Sequence, residues 1–380
     1  VVAKHPVSLS SRINSLLDES LLMKRSHFGA VVLDATTGFT LYQREPHKLH
    51  RPASTLKLFT CATAIRDLGL DHMISTQVRY TGEVMESPLK KRILKGDLYV
   101  IGGMNPILSE KEMSLLLDQC ASLGVDSIAG HVIADLSMKN SARMGAGWCW
   151  DDKGDDSPQL SPLLFERDTT FMEAFVKGLH EKKINPQGTG YGVCPPDATM
   201  LAYNSATLQS LLPLCLKTSD NLIAESILYQ LGKQDSIPFA ETDVSLAHVR
   251  RLLAEVNPDD DCCSIVDGSG LSFYNMVTPL AIVRLLKFVY ESDFYEVFRK
   301  SLPVAAVDGT LKNRMKNTSA AHRVFAKTGV ITGTVTLAGY AEAANGHTLI
   351  FALMNDGVPR EGGTAAARDL QDKICQLLCE

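Results

Sequence analysis

Three short polar motifs, far apart in the sequence, constrain the fold of this chain more than any other feature. They are Ser54-Thr55-Leu56-Lys57, Ser219-Asp220-Asn221 and Lys327-Thr328-Gly329, in that order. Together they supply a nucleophile, an amine that can take its proton, a relay hydroxyl, an amide and a cation, which is the set that serine acyl transfer requires. Because these groups must meet around one hydroxyl, the fold has to bring three remote segments together.

The first motif lies at the start of a predicted helix. An apolar-rich run begins after Pro52 and ends at Gly69, which are typical start and stop signals. The three-residue spacing places the hydroxyl of Ser54 and the amine of Lys57 on one face of that helix, close enough to share a proton. Taken alone, the motif would be explained better by a surface lysine on the polar side of an amphipathic helix than by a catalytic pair. The other two motifs favour the interpretation as a nucleophile and its base.

A second Ser-x-x-Lys pattern occurs at Ser87 and Lys90. There Pro88 removes an amide donor and disfavours a helix interior, and the charged residues that follow are typical of an exposed loop. We therefore expect no catalytic role for this second copy.

The other two motifs each occur once in the chain. Ser219 to Asn221 also fits a helix N-cap, because all three side chains accept bonds from free backbone amides. A helix start would hold a catalytic relay at a fixed point, so both interpretations are compatible. Lys327 to Gly329 lies among alternating residues that predict a strand edge, where Gly329 would let a substrate backbone come close.

With these residues identified, the chain resembles the class C low-molecular-mass penicillin-binding proteins, the type-4 D-Ala-D-Ala carboxypeptidase/endopeptidases. The resemblance runs from about residue 27 to the C-terminal helix and includes the segments Gly96–Gly103, Gly147–Asp152 and Asp267–Ser272. The long stretch between the first two motifs is typical of this family and much longer than in class A β-lactamases. Because it is shorter than in three-domain members, we infer that one accessory domain is missing.

The resemblance implies an α+β fold with a serine β-lactamase/DD-peptidase-like catalytic domain, in which helices flank an antiparallel sheet. One accessory domain, mainly β, is inserted in it. We assign residues 1–69 and 201–380 to the discontinuous catalytic domain and residues 70–200 to the insertion, where short strand signals alternate with Gly, Pro and Asp breaks.

Periodic patterns outside the insertion predict the other elements. The expected helices are 8–23, 206–216, 221–231, 245–256, 279–290 and 365–378, and the expected strands are 28–33, 38–43, 322–328, 334–342 and 348–354.

The resemblance also implies roles in acylation for the motif residues. Ser54 would attack the carbonyl between two D-alanines, and Lys57 would take its proton. Because a neutral lysine at physiological pH requires burial and a nearby like charge, we expect the pKa of Lys57 to be lowered by burial and by Lys327. Ser219 would pass the proton to the leaving amine, and Asn221 would hold the substrate amide.

The remaining implied contacts concern substrate binding. Lys327 and Thr328 would attract the terminal carboxylate, and the backbone amides of Ser54 and Val330 would form the oxyanion hole. Two residues depart from the family pattern: Phe273 stands where an arginine is common, which puts one polar contact to the substrate in doubt, and Val330 replaces a common threonine.

Trp148 and Asp151 resemble the wall of the family's substrate pocket. An acidic group there would suit the free amine of a diaminopimelate side chain. An equally good interpretation is a packed tryptophan beside a solvated aspartate.

Several functions remain open at this point. A serine β-lactamase would share the acylation step but release the adduct quickly. A transpeptidase would need an acceptor-amine site, and a noncatalytic peptidoglycan-binding scaffold would tolerate loss of Ser54. The favoured function is a D-Ala-D-Ala carboxypeptidase or endopeptidase that acts on peptidoglycan peptides and is acylated by β-lactam antibiotics.

The composition argues against several other classes of protein. A net charge of −5 in 380 residues argues against nucleic-acid binding, and no apolar run approaches the length of a membrane span. The nine cysteines show no metal-ligand spacing, so we expect neither a metal nor another cofactor. The chain begins Val-Val-Ala-Lys, which we interpret as a mature or trimmed form, and the resemblance implies a periplasmic or otherwise extracytoplasmic location. Oligomeric state stays open.

Overall fold

A computed structural model describes residues 8–152, 156–235, 239–259 and 262–380 of the chain. The helices of these residues are α1 Leu9–Glu19, α2 Lys57–Leu68, α3 Glu110–Ala121, α4 Phe171–Glu181, α5 Leu208–Lys217, α6 Asn221–Asp235, α7 Thr242–Val256, α8 Pro279–Tyr290, α9 Tyr295–Ser301 and α10 Gly363–Leu378. The strands are β1 His27–Asp34, β2 Thr40–Arg44, β3 Met73–Tyr80, β4 Glu83–Glu86, β5 Arg92–Lys95, β6 Leu98–Ile101, β7 Ser127–Asp135, β8 Asn185–Tyr191, β9 Thr199–Thr207, β10 Val324–Ile331, β11 Thr334–Glu342 and β12 Thr348–Asp356.

The first sheet joins the two ends of the chain. Its five strands are antiparallel and follow the order β10-β11-β12-β1-β2, so that β10 is an edge strand. One apolar layer packs between this sheet and helices α2 and α5 to α8, and a second layer packs beneath α1 and α10 on the other face. Helices on both faces of an antiparallel sheet confirm the α+β prediction.

The second sheet has seven strands and includes parallel pairs. Its order is β4-β5-β7-β6-β3-β9, and β8, which lies off this path, also pairs with β7 in parallel. Helices α3 and α4 cover one apolar layer of this sheet. Its last strand, β9, continues to Thr207, beyond the domain limit predicted at residue 200. Division of the chain into two domains stays a prediction, and we propose that the second limit lies after β9.

Helix α2 occupies the centre of the catalytic half. All residues from Lys57 to Ile65 are buried, which is typical of a helix enclosed by neighbours on every side. The helix ends at Gly69, whose φ of 83° is a backbone conformation that favours glycine. The predicted end of this helix is therefore observed, whereas at the predicted start, after Pro52, a 3₁₀ turn, Ala53–Leu56, carries Ser54 and α2 itself begins at Lys57.

The second Ser-x-x-Lys copy lies in the turn between β4 and β5. The amide of Lys90 donates to the carbonyl of Ser87 at 2.9 Å, and Lys90 has a φ of 57°. This is an exposed hairpin turn, as the proline between the two residues predicted.

Among the described residues, no helix is both long and apolar enough to span a bilayer.

Candidate active site

The turn that carries Ser54 is held by buried hydrogen bonds. The hydroxyls of Thr336 and Thr55 both donate to the carbonyl of Pro52, at 2.8 and 2.6 Å. Ala53 has a φ of 47°, in the left-handed region that non-glycine residues avoid. Such strain persists where the surrounding structure over-determines the backbone, and it often accompanies a functional site.

Gly329 and Gly270 pack closely against this turn because neither has a Cβ atom. A Cβ atom on Gly329 would lie 2.2 Å from Thr336 Oγ1 and 2.8 Å from the carbonyl oxygen of Pro52. One on Gly270 would lie 1.9 Å from the carbonyl oxygen of Ala53. Gly329 therefore leaves room for the protein's own nucleophile turn, and its role in letting a substrate backbone come close stays a prediction.

Lys57 is the centre of a buried hydrogen-bond network. Its Nζ donates to Ser54 Oγ at 2.9 Å, to Asn221 Oδ1 at 2.6 Å and to the carbonyl oxygen of Ser269 at 2.7 Å. The side chain is completely buried, and this burial holds the pKa of Lys57 below its ordinary value. The direction agrees with the sequence-based expectation, although burial rather than the charge of Lys327 is the main cause.

Lys327 reaches the same site from strand β10. Its Nζ donates to Ser219 Oγ at 2.8 Å and to the carbonyl oxygen of Thr328 at 2.7 Å. Burial, and then the charge of Lys57, lowers the pKa of Lys327 well below its ordinary value. The hydroxyl of Thr328 donates to Thr310 at 2.8 Å, so it faces a neighbouring turn.

Ser219 and Asn221 are fixed by the start of α6. Ser219 has a φ of 65°, and the carboxylate of Asp220 accepts a bond from the amide of Ile223 at 2.9 Å, which caps the helix. The predicted N-cap and the predicted catalytic position thus coincide. Asn221 points its carbonyl oxygen at Lys57, while its Nδ2 donates to the carbonyl oxygen of Asp156 at 2.7 Å.

Two buried carboxylates lie beneath this network. Asp267 accepts bonds from the amides of Gly270 and Ser272 at 2.8 and 2.7 Å, and also from two side chains. Glu225 accepts from the amides of Gly268 and Ser269 at 3.0 and 2.8 Å. Burial and the charge of Asp267 raise the pKa of Glu225 to about 8, so its protonated form prevails at neutral pH.

A cleft of about 310 Å³ opens over Ser54. Its lining comprises Ser54, Asp152, Asp156, Thr218, Ser219, Asn221, Gly270, Leu271, Phe273, Val330, Ile331 and Thr332. The guanidinium of Arg51 lies 5.1 Å from the ring centre of Phe273. A larger cavity of about 410 Å³ lies against the second sheet and contains none of the motif residues.

The structure brings the motif residues together but does not bring Trp148 or Asp151 into the cleft. The indole of Trp148 is buried and donates to Asp267 at 3.0 Å, so this ring packs in the protein interior. Asp151 is exposed outside the cleft. The acidic residues of the lining are Asp152 and Asp156.

Sequence reasoning missed the groups that support Lys57. The stretch Asp267–Ser272 was noted only as a family match, and nothing in its pattern showed that its backbone carbonyl at Ser269 would bind the lysine amine. Glu225 and Arg167 were likewise overlooked. No group of three or more metal-ligating side chains suited to an ion occurs within the described parts of the chain.

Comparisons with known proteins agree with this geometry. A family model for the D-Ala-D-Ala carboxypeptidase 3 (S13) family matches residues 9–183 and 164–380. The D-alanyl-D-alanine carboxypeptidase of Actinomadura sp. (strain R39) is 27% identical over an alignment of 466 positions, gaps included, which covers 98% of this chain and 84% of the relative. Carboxypeptidase DacB of Mycolicibacterium smegmatis is 27% identical, with coverage of 88% and 77%.

Solved structures share the fold. Penicillin-binding protein 4 of Haemophilus influenzae superposes with a TM-score of 0.85 at 19% identity, covering 96% of this chain and 99% of that one. Bd3459, a predatory peptidoglycan endopeptidase of Bdellovibrio bacteriovorus, superposes with a TM-score of 0.62 at 16% identity, with coverage of 93% and 92%. Since the family model spans nearly the whole chain, this protein belongs to the D-Ala-D-Ala carboxypeptidase 3 (S13) family.

Proposed function

We propose that this protein is a serine D-Ala-D-Ala carboxypeptidase or endopeptidase that cleaves peptidoglycan peptides through an acyl-enzyme on Ser54. One observation carries the proposal: the amine of Lys57 lies 2.9 Å from the hydroxyl of Ser54 in a buried network that also includes Asn221. Peptidases of this specificity are the named relatives, and the family model agrees.

The hydrogen bonds of Lys57 suit a general base. A neutral amine has two N–H groups and one lone pair. Asn221 Oδ1 and the carbonyl oxygen of Ser269 can accept the two hydrogens, at 2.6 and 2.7 Å, which leaves the lone pair for the hydroxyl proton of Ser54. The lowered pKa favours this neutral form.

The chemistry then proceeds in two stages. Ser54 Oγ bonds to the carbonyl carbon between the two D-alanines as its proton passes to Lys57. The C–N bond breaks as the Ser219 hydroxyl, which accepts a bond from Lys327, gives its proton to the leaving amine and takes up the proton held by Lys57, so that Lys57 is neutral again. Water subsequently attacks the ester, releasing the shortened peptide and restoring the hydroxyl.

Strand β10 can bind the substrate backbone. As an edge strand it has amide and carbonyl groups that no strand of the sheet pairs, and an extended peptide can pair with such an edge. Val330 lies in the cleft on this strand, so its amide and that of Ser54 can stabilise the developing oxyanion. Recognition through backbone atoms is independent of the valine side chain.

The charges around the cleft suit the two ends of the substrate. The negative charge of the substrate's terminal carboxylate would favour the ammonium form of Lys327 against the effect of burial. Lys327 can then bind that carboxylate, with Thr328 beside it on the strand edge. Asp152 and Asp156 provide acceptors for a free amine on the stem peptide, the role first assigned to Asp151. Binding of the substrate amide by Asn221 requires its Nδ2 to exchange the carbonyl of Asp156 for the substrate.

The test is intact-mass analysis after incubation with penicillin, followed by a time course of D-alanine release from a peptidoglycan pentapeptide. Wild-type protein should gain the mass of one penicillin, which stays attached because its opened ring cannot leave. Ser54→Ala should gain none and release no D-alanine. Unchanged D-alanine release by Ser54→Ala would refute the proposal.

The lifetime of the adduct separates the competing functions. A β-lactamase would return to its original mass within seconds to minutes, whereas a peptidase of this kind keeps the adduct for much longer. A scaffold would acquire no adduct at all. Because the substrate is peptidoglycan, the proposed function also places the protein outside the cytoplasm.

A further inference from the structure

We propose that Arg167 is a positioning residue for the Ser219-Asp220-Asn221 motif. In the sequence, Arg167 belongs to the segment inserted between β2 and β10, two strands of the five-stranded sheet. The inference rests on the proposed function, since it assigns a role in setting up the relay. It would make the inserted segment a functional part of the active site rather than an appendage.

The contact between Arg167 and Asp220 is a two-pronged ion pair. Nη1 of Arg167 donates to Oδ2 of Asp220 at 2.8 Å, and Nη2 donates to Oδ1 at 3.2 Å. Paired bonds of this kind fix the orientation of a carboxylate as well as its position. The same carboxylate caps α6 through the amide of Ile223. Asp220 therefore links the inserted segment, the helix and the motif.

The backbone that presents Arg167 is unusual. Phe165 and Asp168 exchange two backbone bonds, of 2.8 and 2.9 Å, around a two-residue turn. Both central residues, Glu166 and Arg167, have positive φ values, 47° and 66°. Glycine and asparagine normally occupy such positions. A side chain is retained there at a conformational cost, which is expected where the side chain has a task.

Each of the two turn residues makes a specific contact. Oε1 of Glu166 accepts a bond from the amide of Glu110 at 2.8 Å, at the first residue of α3. Arg167 extends the other way, to Asp220. The turn thus connects the helix that covers the second sheet with the start of α6.

The residue next to Asp220 also has a constrained backbone. Ser219 has a φ of 65°, and its hydroxyl accepts the bond from Lys327. Because a non-glycine residue leaves the left-handed region readily, this conformation needs support from its neighbours. The Arg167 pair on Asp220 supplies that support from one side, and the helix cap supplies it from the other.

Arg167 also balances charge near Lys57. The charged or titratable groups that act on Lys57 come from α5, the turn before α6, α6 itself, the loop before α8 and β10: Cys215, Asp220, Glu225, Asp267 and Lys327. The negative charge of Asp220 favours the ammonium form of Lys57. Without Arg167 that charge would act unopposed, so Lys57 would become neutral only at a higher pH.

The experiment compares Arg167→Gly with Lys183→Gly. Lys183 is an exposed residue of the same segment and has a φ of 64°. Each variant therefore loses one cation and places glycine at one backbone position in the left-handed region. Both should unfold near the wild-type temperature. Only Arg167→Gly should react more slowly with a fluorescent penicillin, by about tenfold or more, and the acid limb of its rate profile should move to higher pH.

A second pair of variants tests whether the effect passes through Asp220. Asp220→Asn keeps the helix cap and removes the charge. If Arg167 acts through this carboxylate, Arg167→Gly should cost little in the Asp220→Asn background. Equal losses in both backgrounds, or an Arg167→Gly protein that reacts as fast as Lys183→Gly with an unmoved acid limb, would overturn the inference. If the wild type itself fails to react, the proposed function fails instead.

Discussion

Replacing Glu225 with glutamine should stabilise the folded protein, and increasingly so as the pH rises. The Glu225 carboxyl is buried on α6, where one oxygen accepts from the amides of Gly268 and Ser269. Burial and the charge of Asp267 raise its pKa to about 8. Glutamine has nearly the same size and keeps an acceptor oxygen for both amides, but it cannot ionise.

The magnitude follows from proton uptake on folding. The carboxyl has an ordinary pKa of 4.5, so above that pH the unfolded chain has lost a proton that the folded protein retains up to about pH 8. Where the folded state binds more protons, stability falls as the pH rises. The slope is about 1.4 kcal/mol per pH unit, which amounts to a loss of about 3 kcal/mol by pH 7. Glu225→Gln removes this loss.

Urea unfolding of both proteins at pH 5, 6 and 7 measures the effect. The free energy of unfolding of Glu225→Gln, relative to wild type, should increase by about 1.4 kcal/mol for each pH unit. The slope of the unfolding free energy against urea concentration should be the same for both proteins, because both expose the same surface on unfolding. A difference between the two proteins that stays constant from pH 5 to pH 7 would refute the reasoning.

The remaining predictions concern acylation. Lys57→Met fills the space of the lysine without a basic group, so intact-mass analysis should show penicillin acylation about 10²- to 10⁴-fold slower. Gly329→Ala places a Cβ atom 2.2 Å from Thr336 Oγ1 and 2.8 Å from the carbonyl oxygen of Pro52, so displacement of the turn should slow acylation about 100-fold. In wild-type protein, the acylation rate should rise with pH through a pKa below 10.5, because burial lowers the pKa of Lys57. A rate that still climbs above pH 10.5 would contradict this.

Local signals predicted several elements together with their limits. Helix α8 begins with Pro279 after an N-cap threonine, and its observed limits, Pro279–Tyr290, equal the predicted ones. The limits of β11, Thr334–Glu342, also agree with the predicted strand 334–342. The two helices of the insertion, α3 and α4, were not identified individually, since many Gly, Pro and Asp residues obscure periodicity there.

Contacts between remote residues were beyond prediction from patterns. Trp148 bonds Asp267 across more than a hundred positions, and no local signal marks such a pair. Similarly, a backbone carbonyl such as that of Ser269 carries no residue-type information, although it is one of the three partners of Lys57. Asp152 and Asp156 line the cleft and Asp151 does not, because the direction of a side chain in a loop depends on backbone angles that the sequence alone does not determine.

The pairing of β1 with β12 has a consequence for how the chain matures. His27 lies opposite Asp356, so the central strands of the five-stranded sheet come from the two ends of the polypeptide. The seven-stranded sheet, in contrast, is built entirely from the contiguous segment 73–207. During synthesis that segment can therefore fold early, whereas the nucleophile acquires its surroundings only after the final strands emerge. A nascent or truncated chain is thereby kept from acting as a hydrolase.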